Sequence, residues 1–405
     1  MIRKLTYLIF AAASLLMTAC SVFDDHMYGP NGEQKVNVSF VLALGPSGSP
    51  VTRTETWDPE DPTDDGDDIG YNPKTIGDGY DNMIDPGTLQ VVFYEDTDAG
   101  AFVGQVTIKG YYPVDSEGNR IDTDSDGYMP ESNLSNLYHF DGVLMADEGV
   151  LEVGTGYKLV VYANLPRSQA QRVNDGAAFS SLSDLKFTKF AYEGVEKDIE
   201  FIPMWGVRTV TLDMNQGELH DLGTIYVLRA MAKVEVRLGK SLVDAGYTLT
   251  GMNMHNVNGT GYILPTDALV KSATEELDLQ NCFNELTSSV YVSPTVTSSN
   301  GSTTLVMYLP EKQNKNSDAS EIGLTLNYNG GSVPQTISPS TTIKFTKYIG
   351  GKPSQSVDDV YNIVRNHNYV FEINSISSDG LKFIVSVKDL ELGGVFGFIY
   401  DQEQS

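Results

Sequence analysis

The chain has 405 residues, of which 40% are apolar, and 27 basic against 54 acidic side chains give it a formal net charge of −27. This length and apolar content can bury a large core and suggest about two domains. Because phosphates repel an acidic surface and no stretch of Lys or Arg offsets the excess of carboxylates, the charge argues against a nucleic-acid-binding protein.

The amino terminus has the pattern of a lipoprotein signal peptide. An apolar run over residues 5–17 follows a basic pair, and its length suits a signal peptide but is too short to span a bilayer. The run ends in Thr18-Ala19-Cys20, where small residues precede the cysteine as a lipoprotein signal peptidase requires. We predict a signal peptide over residues 1–19 and a lipid on Cys20 that holds the chain on a membrane. A plain secretory signal peptide cut near Ala19 is the alternative.

The next segments predict a tether, a strand and a cleavable loop. Residues 20–35 are polar and rich in Gly, Pro and Asn, which is typical of a flexible tether. Residues 36–44 alternate in the manner of a β-strand with one buried face. That face consists of Val36, Val38, Phe40, Leu42 and Leu44. The Gly/Ser/Pro loop after the strand contains Arg53, a basic residue open to a protease, so one cleavage there would separate the strand from the remainder of the chain.

Further segments rich in Val, Thr and Tyr predict strands in two blocks. The first block comprises residues 88–95, 101–109, 157–164 and 208–212, with helical inserts near 168–174 and 181–186 and loop between 109 and 157. The second block runs from residue 224 to a last strand at 381–388. Since long amphipathic helices between the strands are missing, we predict a mostly β chain of two tandem β-sandwich domains, over residues 36–221 and 222–405.

One acidic loop has part of the spacing of a calcium site. Asp122, Asp124 and Asp126 alternate ahead of Gly127, and carboxylates so placed can converge on Ca²⁺. Position twelve is Asn133, where a bidentate Glu belongs, so an ordinary acidic loop is the alternative. Histidines at zinc spacing, a nucleophile elbow and a phosphate-binding loop are all missing from the sequence. We therefore expect no enzyme and no cofactor, apart from calcium in this loop.

Several segments, taken in order, resemble the fimbrillin family of type V pili, which are surface fibres built from lipoprotein precursors. They cover nearly the whole chain. These segments are residues 16–20, 36–53, 89–94, 160–164, 202–206, 229–236, 261–265, 307–311 and 365–369.

The resemblance implies two transthyretin-like Greek-key β-sandwich domains with short helical inserts, and export as a lipoprotein to the surface of the cell outer membrane. It also implies cleavage at Arg53 by an arginine-specific protease and assembly with other fimbrial subunits by donor-strand exchange, in support of adhesion. Residues 36–44 would be the strand that is removed. The tail, residues 381–400, would donate a strand to the next subunit through Leu381, Phe383, Val385 and Val387.

Three functions remain open at this point. The chain is expected to be a structural subunit of the fibre, an anchor or tip subunit of the same fibre, or a glycan-binding surface lipoprotein that uses Trp57, Tyr71 and calcium. The acidic stretch over residues 58–85 lies directly behind Arg53 and is not part of the family pattern. For Trp205, which lies in an apolar segment, core packing is favoured over sugar stacking.

Overall fold

The structure is a computed structural model, and within the residues that it describes the chain is mostly β-sheet with few helices. The described residues are 34–44, 84–122, 137–147, 149–152, 154–188, 201–212, 219–265, 291–314, 318–330, 335–337, 342–346, 348–349, 352–353, 356, 360–377, 380–389 and 398–400.

The first unit is built from strands that form one sheet, with short helices outside it. The sheet strands are β1 (Gln34–Leu44), β2 (Gln90–Glu95), β3 (Phe102–Val114), β4 (Leu137–Ala146), β5 (Gly156–Ala163), β7 (Met204–Thr211) and β8 (His220–Arg229). The other elements are a 3-10 helix (Pro86–Thr88), the helix α1 (Arg167–Asn174), a second 3-10 helix (Phe179–Leu182) and the two-residue strand β6 (Lys186–Phe187).

This sheet closes on itself in the order β1-β4-β3-β2-β5-β7-β8, because β8 returns to pair with β1. The β1–β8 pairing is parallel, whereas β1 and β4 are antiparallel. The sequence predicts a sandwich of two sheets for this unit. The structure instead has one closed sheet. Since closure removes free strand edges, β1 completes the hydrogen bonding of both β4 and β8.

Two local expectations for this unit are corrected. Residues 137–146, expected to lie in a loop, form β4, and the insert expected near 181–186 is the 3-10 helix Phe179–Leu182 followed by β6. The side chains that β4 turns inward join those of β1, β2 and β5 in the core of the first unit. The strand that the sequence did not reveal is thus one of the two neighbours of β1.

The second unit is a sandwich of two sheets. Its longer elements are β9 (Met231–Leu238), α2 (Lys240–Asp244), β10 (Tyr247–His255), β14 (Thr295–Ser302), β15 (Thr304–Pro310), β16 (Glu321–Tyr328), β21 (His367–Ser377) and β22 (Gly380–Asp389). Its short strands are β11 (Val257–Asn258), β12 (Gly261–Tyr262), β13 (Tyr291–Val292), β17 (Gln335–Ile337), β18 (Ile343–Lys344), β19 (Tyr348–Ile349), β20 (Lys352–Pro353) and β23 (Phe398–Tyr400).

One sheet of the sandwich has the order β14-β10-β16-β17, with β18 beside β16, and the other has the order β15-β9-β21-β22-β23. Apolar side chains alternate along β9, β10, β15, β16 and β21 and meet in a common core between the two sheets. This is the arrangement in which two half-apolar sheets exclude water from their facing sides.

The two units are joined directly. The boundary expected after Asp221 falls inside β8, which still pairs with β7 at Arg229. The change of sheet takes place at Ala230, and β9 begins at the next residue. At this junction Arg229 Nη1 donates a hydrogen bond to Asn366 Oδ1 over 2.8 Å, and β6 of the first unit pairs with β12 of the second.

Candidate functional site

The strand β1 has one face buried in the core of the first unit. Its alternate side chains Val36, Val38, Phe40 and Leu42 are between 0% and 7% exposed, whereas Asn37 on the opposite face is exposed. The pattern follows from the pleat of a strand, which points successive side chains to opposite sides. Leu44 belongs to the same strand, but its side chain lies outside what the structure describes.

Two strands form the walls of the space that β1 occupies, which we call the β1 groove. On one side β4 pairs antiparallel with β1 from Gln34↔Ala146 to Ala43↔Leu137. On the other side β8 pairs parallel with β1 from Val38↔His220 to Leu44↔Val227. Sequence reasoning identified neither wall, because neighbours in a sheet are set by tertiary pairing rather than by local pattern.

A row of three stacked rings runs from β1 across β4 to β3. Phe40 of β1 stacks on Phe140 of β4 with 5.1 Å between ring centroids and 5° between planes, and Phe140 stacks on Tyr111 of β3 at 5.6 Å. The three residues are direct cross-strand neighbours. Tyr111 is 42% exposed, and its pKa is raised by burial and, to a smaller extent, by the charge of Asp85. We call these residues the aromatic row.

The opposite wall carries a β-bulge at the level of Phe40. Ser39 pairs with Asp221 and Val41 with Thr224, so β8 has an additional residue there. Gly223 in the bulge has φ +69° and donates its N–H to Asp221 Oδ1 over 2.8 Å. A Cβ at Gly223 would lie 2.5 Å from Arg208 Nη1. The positive φ favours glycine here, whereas the Arg208 guanidinium is the end of a flexible side chain and could move aside.

The first residue of β1 ties it to a neighbouring loop. Gln34 is buried, and its Oε1 accepts a hydrogen bond from the Leu151 N–H over 3.1 Å. The sequence placed this residue in the tether that ends at residue 35, so the structure extends the strand into the tether by two residues. The sequence alone did not indicate the hydrogen bond between Gln34 and Leu151, because a polar residue before an apolar strand is equally typical of a tether.

The groove creates a strong preference for an occupied state. Burying a large apolar side chain contributes about 1.5–3 kcal/mol, so the four buried positions of β1 contribute roughly 6–12 kcal/mol. Removing β1 would also leave the facing N–H and C=O groups of β4 and β8 unpaired. Any strand with a matching apolar face would thus be stabilised in the empty groove.

The predicted donor strand lies in the second unit's own sheet. The residues Leu381, Phe383, Val385 and Val387 belong to β22, which pairs antiparallel with β21 from His367↔Asp389 to Ser377↔Gly380. On the other side of β22, Val387 pairs with Phe398 of β23. Because β22 already has a partner, its use by another subunit requires that it leave β21. A donor role for the tail remains a prediction.

The other predicted sites lie partly or wholly outside the described residues. Cys20, Arg53, Trp57 and Tyr71 fall outside them, as do Asp124 and Asp126. Asp122 is described, and in the described part of the chain no cluster of three His, Cys, Asp or Glu side chains could hold a metal. Trp205 is almost fully buried in a core cluster, so core packing is confirmed for it. Among the described helices, none has the length and hydropathy to cross a membrane.

Comparisons with known proteins give structural neighbours and no sequence relative. No family model matches the chain, and no curated protein matches it. The tip fimbrial protein Mfa3 from Porphyromonas gingivalis, with a C-terminal truncation, is similar at 11% identity and a TM-score of 0.46, covering 88% of this chain and 99% of that one. A fimbrial assembly protein from Parabacteroides distasonis ATCC 8503 is similar at 13% identity and a TM-score of 0.44, covering 88% and 97%. These two neighbours are fimbrial proteins, and at such low identity and TM-score the likeness by itself assigns no activity or partner to this chain.

Proposed function

We propose that this chain is a subunit of a bacterial surface fibre that is assembled by strand replacement. In this proposal the chain is exported as a lipoprotein through Cys20, cleavage at Arg53 releases β1, and the tail of another subunit fills the β1 groove. The proposal places the protein at the cell surface with other fimbrial subunits and an arginine-specific protease as its partners.

The observation that carries the proposal is the position of β1 in a closed sheet. β1 fills the space between β4 and β8, and its apolar side chains complete the core of the first unit. Residues 45–83 follow β1 in the sequence and lead to the next sheet strand that the structure describes, β2. One cut in that connection is therefore sufficient to make the closing strand a separate piece.

The composition of that connection supports Arg53 as the cleavage site. Between the end of β1 and residue 84, the basic residues are Arg53 and Lys74, so an enzyme that cuts after arginine has one choice there. The stretch is rich in Gly, Pro and acidic residues, which favours a chain that a protease can enter.

The experiment that tests the proposal compares chains that can and cannot be cut. The precursor is treated with an arginine-specific protease, and polymers are followed by denaturant-free electrophoresis and electron microscopy. Arg53→Lys, which keeps the charge but removes the cleavage site, should abolish polymer formation. A further chain combines Arg53→Lys with a recognition sequence for an unrelated protease in residues 46–52, and it should polymerise only when that protease is added.

The outcome decides between release of β1 and some other effect of proteolysis. Polymers from the second protease would show that the break behind β1 is what matters, whichever enzyme makes it. Complete cleavage at residue 53 with loss of β1 and no polymer would contradict the proposal.

A terminal subunit of the same fibre is the second candidate. It is favoured by the pairing of β22 with β21 and of β23 with β22, which keeps residues 380–389 and 398–400 in the chain's own sheet. A subunit with this tail would accept a strand but donate none. Removing residues 390–405 separates the two candidates. If the tail is the donor strand, the truncated chain no longer polymerises. If the chain is a terminal subunit, the truncated chain still captures the strand of another subunit.

A further inference from the structure

The two outer faces of the second unit differ in charge. The face of β9 and β21 carries an ion-pair network, in which Arg237 Nη2 lies 2.9 Å from Glu372 Oε2 and Arg237 Nη1 lies 4.0 Å from Glu235 Oε1. The opposite face, on the sheet of β14, β10, β16 and β17, consists mainly of short uncharged side chains. One sandwich of this acidic chain thus has a charged outer face and an uncharged one.

Strand alternation identifies the members of the uncharged face. On β16 the side chains of Ile322, Leu324 and Leu326 lie in the core, so those between them point outward. On β14 Val296 packs against the same core, and the residues on either side of it are exposed. The outward side chains on which the argument rests, which we call the polar face, are Asn253, Thr295, Thr297, Thr325, Asn327 and Thr336.

Hydrogen bonds across the strands order the polar face. Asn253 Nδ2 donates to Thr295 Oγ1 over 3.0 Å, and Thr336 Oγ1 donates to Asn327 Oδ1 over 3.0 Å. Thr297, like Thr295 and Thr336, is exposed to solvent. Short side chains that are already held in this way lose little conformational freedom when a partner covers them.

Among the described residues, the strands of this sheet carry charged side chains at one end only. Glu321 pairs there with His255, and Lys344 Nζ lies 3.3 Å from Glu321 Oε1. The lysine balances the carboxylate locally. The remainder of the face therefore presents no charge in a chain whose formal net charge is −27.

An uncharged face is the side on which two copies of this chain repel each other least. Covering a charged group removes its hydration, and the centres of protein interfaces are accordingly depleted of charge. A basic partner would gain more by docking on the acidic surfaces, where a second copy meets like charge. Thr and Asn side chains both donate and accept hydrogen bonds, so the polar face is complementary to itself.

We infer that the polar face is a self-association surface, on which a second copy of this chain docks with its own polar face. Both copies use the same residues, in the two-fold arrangement that is commonest for pairs of identical chains. Four strands about 4.8 Å apart and about six residues long cover on the order of 400 Å² per copy, so the contact is weak between free copies. In the fibre proposed above, many such contacts together would hold neighbouring fibres side by side.

Sedimentation of the full-length chain, uncut at Arg53, tests the inference. We expect a monomer–dimer equilibrium at roughly 10 μM to 1 mM, where small interfaces become populated. Raising the ionic strength from about 0.01 M to about 0.1 M shortens the Debye length to about 10 Å, so it should strengthen association by screening the repulsion between the remaining surfaces. A parent chain that stays monomeric at both ionic strengths would overturn the inference.

Charged variants locate the contact. Asn253→Asp adds a charge with almost no change in volume, and Thr297→Glu adds one at an exposed position. Each should raise the dissociation constant by about tenfold or more, because the two-fold contact brings like charges together. The matched control Thr107→Glu adds the same charge at an exposed position of β3 and should change it by less than about twofold. Equal weakening by Thr107→Glu, or none by Thr297→Glu, would overturn the assignment.

Photo-crosslinking gives a readout that does not depend on added charge. With p-benzoylphenylalanine at position 297 of the uncut chain, we expect crosslinks to β10, β14 or β16 of the second copy. Crosslinks confined to the first unit of the second copy would overturn the inference. Since no step requires cleavage at Arg53, these results are separate from those that test strand replacement.

Discussion

Arg365 and Glu311 form an ion pair that is shielded from solvent at the junction of the two units. Arg365 Nη2 lies 2.6 Å from Glu311 Oε2, and the two side chains are 1% and 7% exposed. The same guanidinium donates to the main-chain oxygens of Ile263 and Tyr262 over 2.7 and 3.2 Å. One side chain thereby holds together the turn before β21, the end of β15 and the β12 region.

Removing the carboxylate of this pair should be strongly destabilising. Glu311→Ala leaves the Arg365 charge buried without its partner, and we expect a loss of about 3–5 kcal/mol in the free energy of unfolding. The matched control is Asp244→Ala, which breaks the exposed ion pair of Lys240 and Asp244. It should change the free energy of unfolding by less than about 1 kcal/mol. Urea unfolding followed by circular dichroism measures the free energy of unfolding of both variants. Equal losses in the two variants would contradict a stabilising role for the buried pair of Arg365 and Glu311.

Truncation of Phe40 should destabilise the first unit through both the core and the aromatic row. Phe40→Ala removes a fully buried ring, for which we expect a loss of about 3–5 kcal/mol. Asn37→Ala on the exposed face of the same strand should be nearly neutral. Tyr and Phe fluorescence during denaturant unfolding would report the change, and a neutral Phe40→Ala would show that the core does not depend on β1.

A methyl group at Gly142 should be poorly tolerated. Its Cβ would lie 2.5 Å from Val106 Cγ1 and 3.0 Å from the Thr107 oxygen, so Gly142→Ala should cost about 1–3 kcal/mol through overpacking. Gly110 on the adjacent strand has nothing within 4 Å of the corresponding position, and Gly110→Ala is the control. Thermal unfolding should show a lower midpoint for Gly142→Ala alone; similar midpoints would contradict the close packing of β3 on β4.

Lys312 should make stability rise with pH in the alkaline range. Burial lowers the pKa of Lys312 from 10.5 to about 8, although its ammonium donates to the Asn256 and Asp318 oxygens and lies 4.6 Å from the Tyr291 ring centroid. Between about pH 8 and 10.5 the unfolded chain binds the proton and the folded chain does not, so the unfolding free energy increases with pH there.

The measurement for Lys312 is a difference between two chains. Lys312→Met keeps much of the volume and has no titrating group, so the unfolding free energy of the parent minus that of the variant should increase from pH 8 to 10.5. A difference that stays flat or falls across that window would show that burial does not lower the pKa of Lys312.

The sequence was informative where the determining contacts are local. Alternation along residues 36–44 predicts a strand with Val36, Val38, Phe40 and Leu42 on its inner face, and these side chains do lie in the core. This succeeds because the side-chain period of a strand is a property of the strand alone.

The sequence did not reveal β4, whose middle residues, Asp141 and Gly142, are a pair typical of hairpin turns. Here glycine is present because Val106 approaches that side of the strand, which is a tertiary contact. The alternating pattern of residues 381–387 likewise predicted a strand, and β22 exists. The pattern did not reveal that its neighbour is β21 of the same chain, because an apolar face does not specify the sheet that it completes.

The direct passage from β8 through Ala230 into β9 has a mechanical consequence for the proposed fibre. A strand held in the groove is bonded to β8, β8 continues as β9, and β9 pairs in parallel with β21, whose other neighbour is β22 at the start of the tail. Tension applied between successive subunits would thus follow a short chain of side-by-side strands. It would load their hydrogen bonds together in shear, and the remaining strands of each unit would carry little of the force.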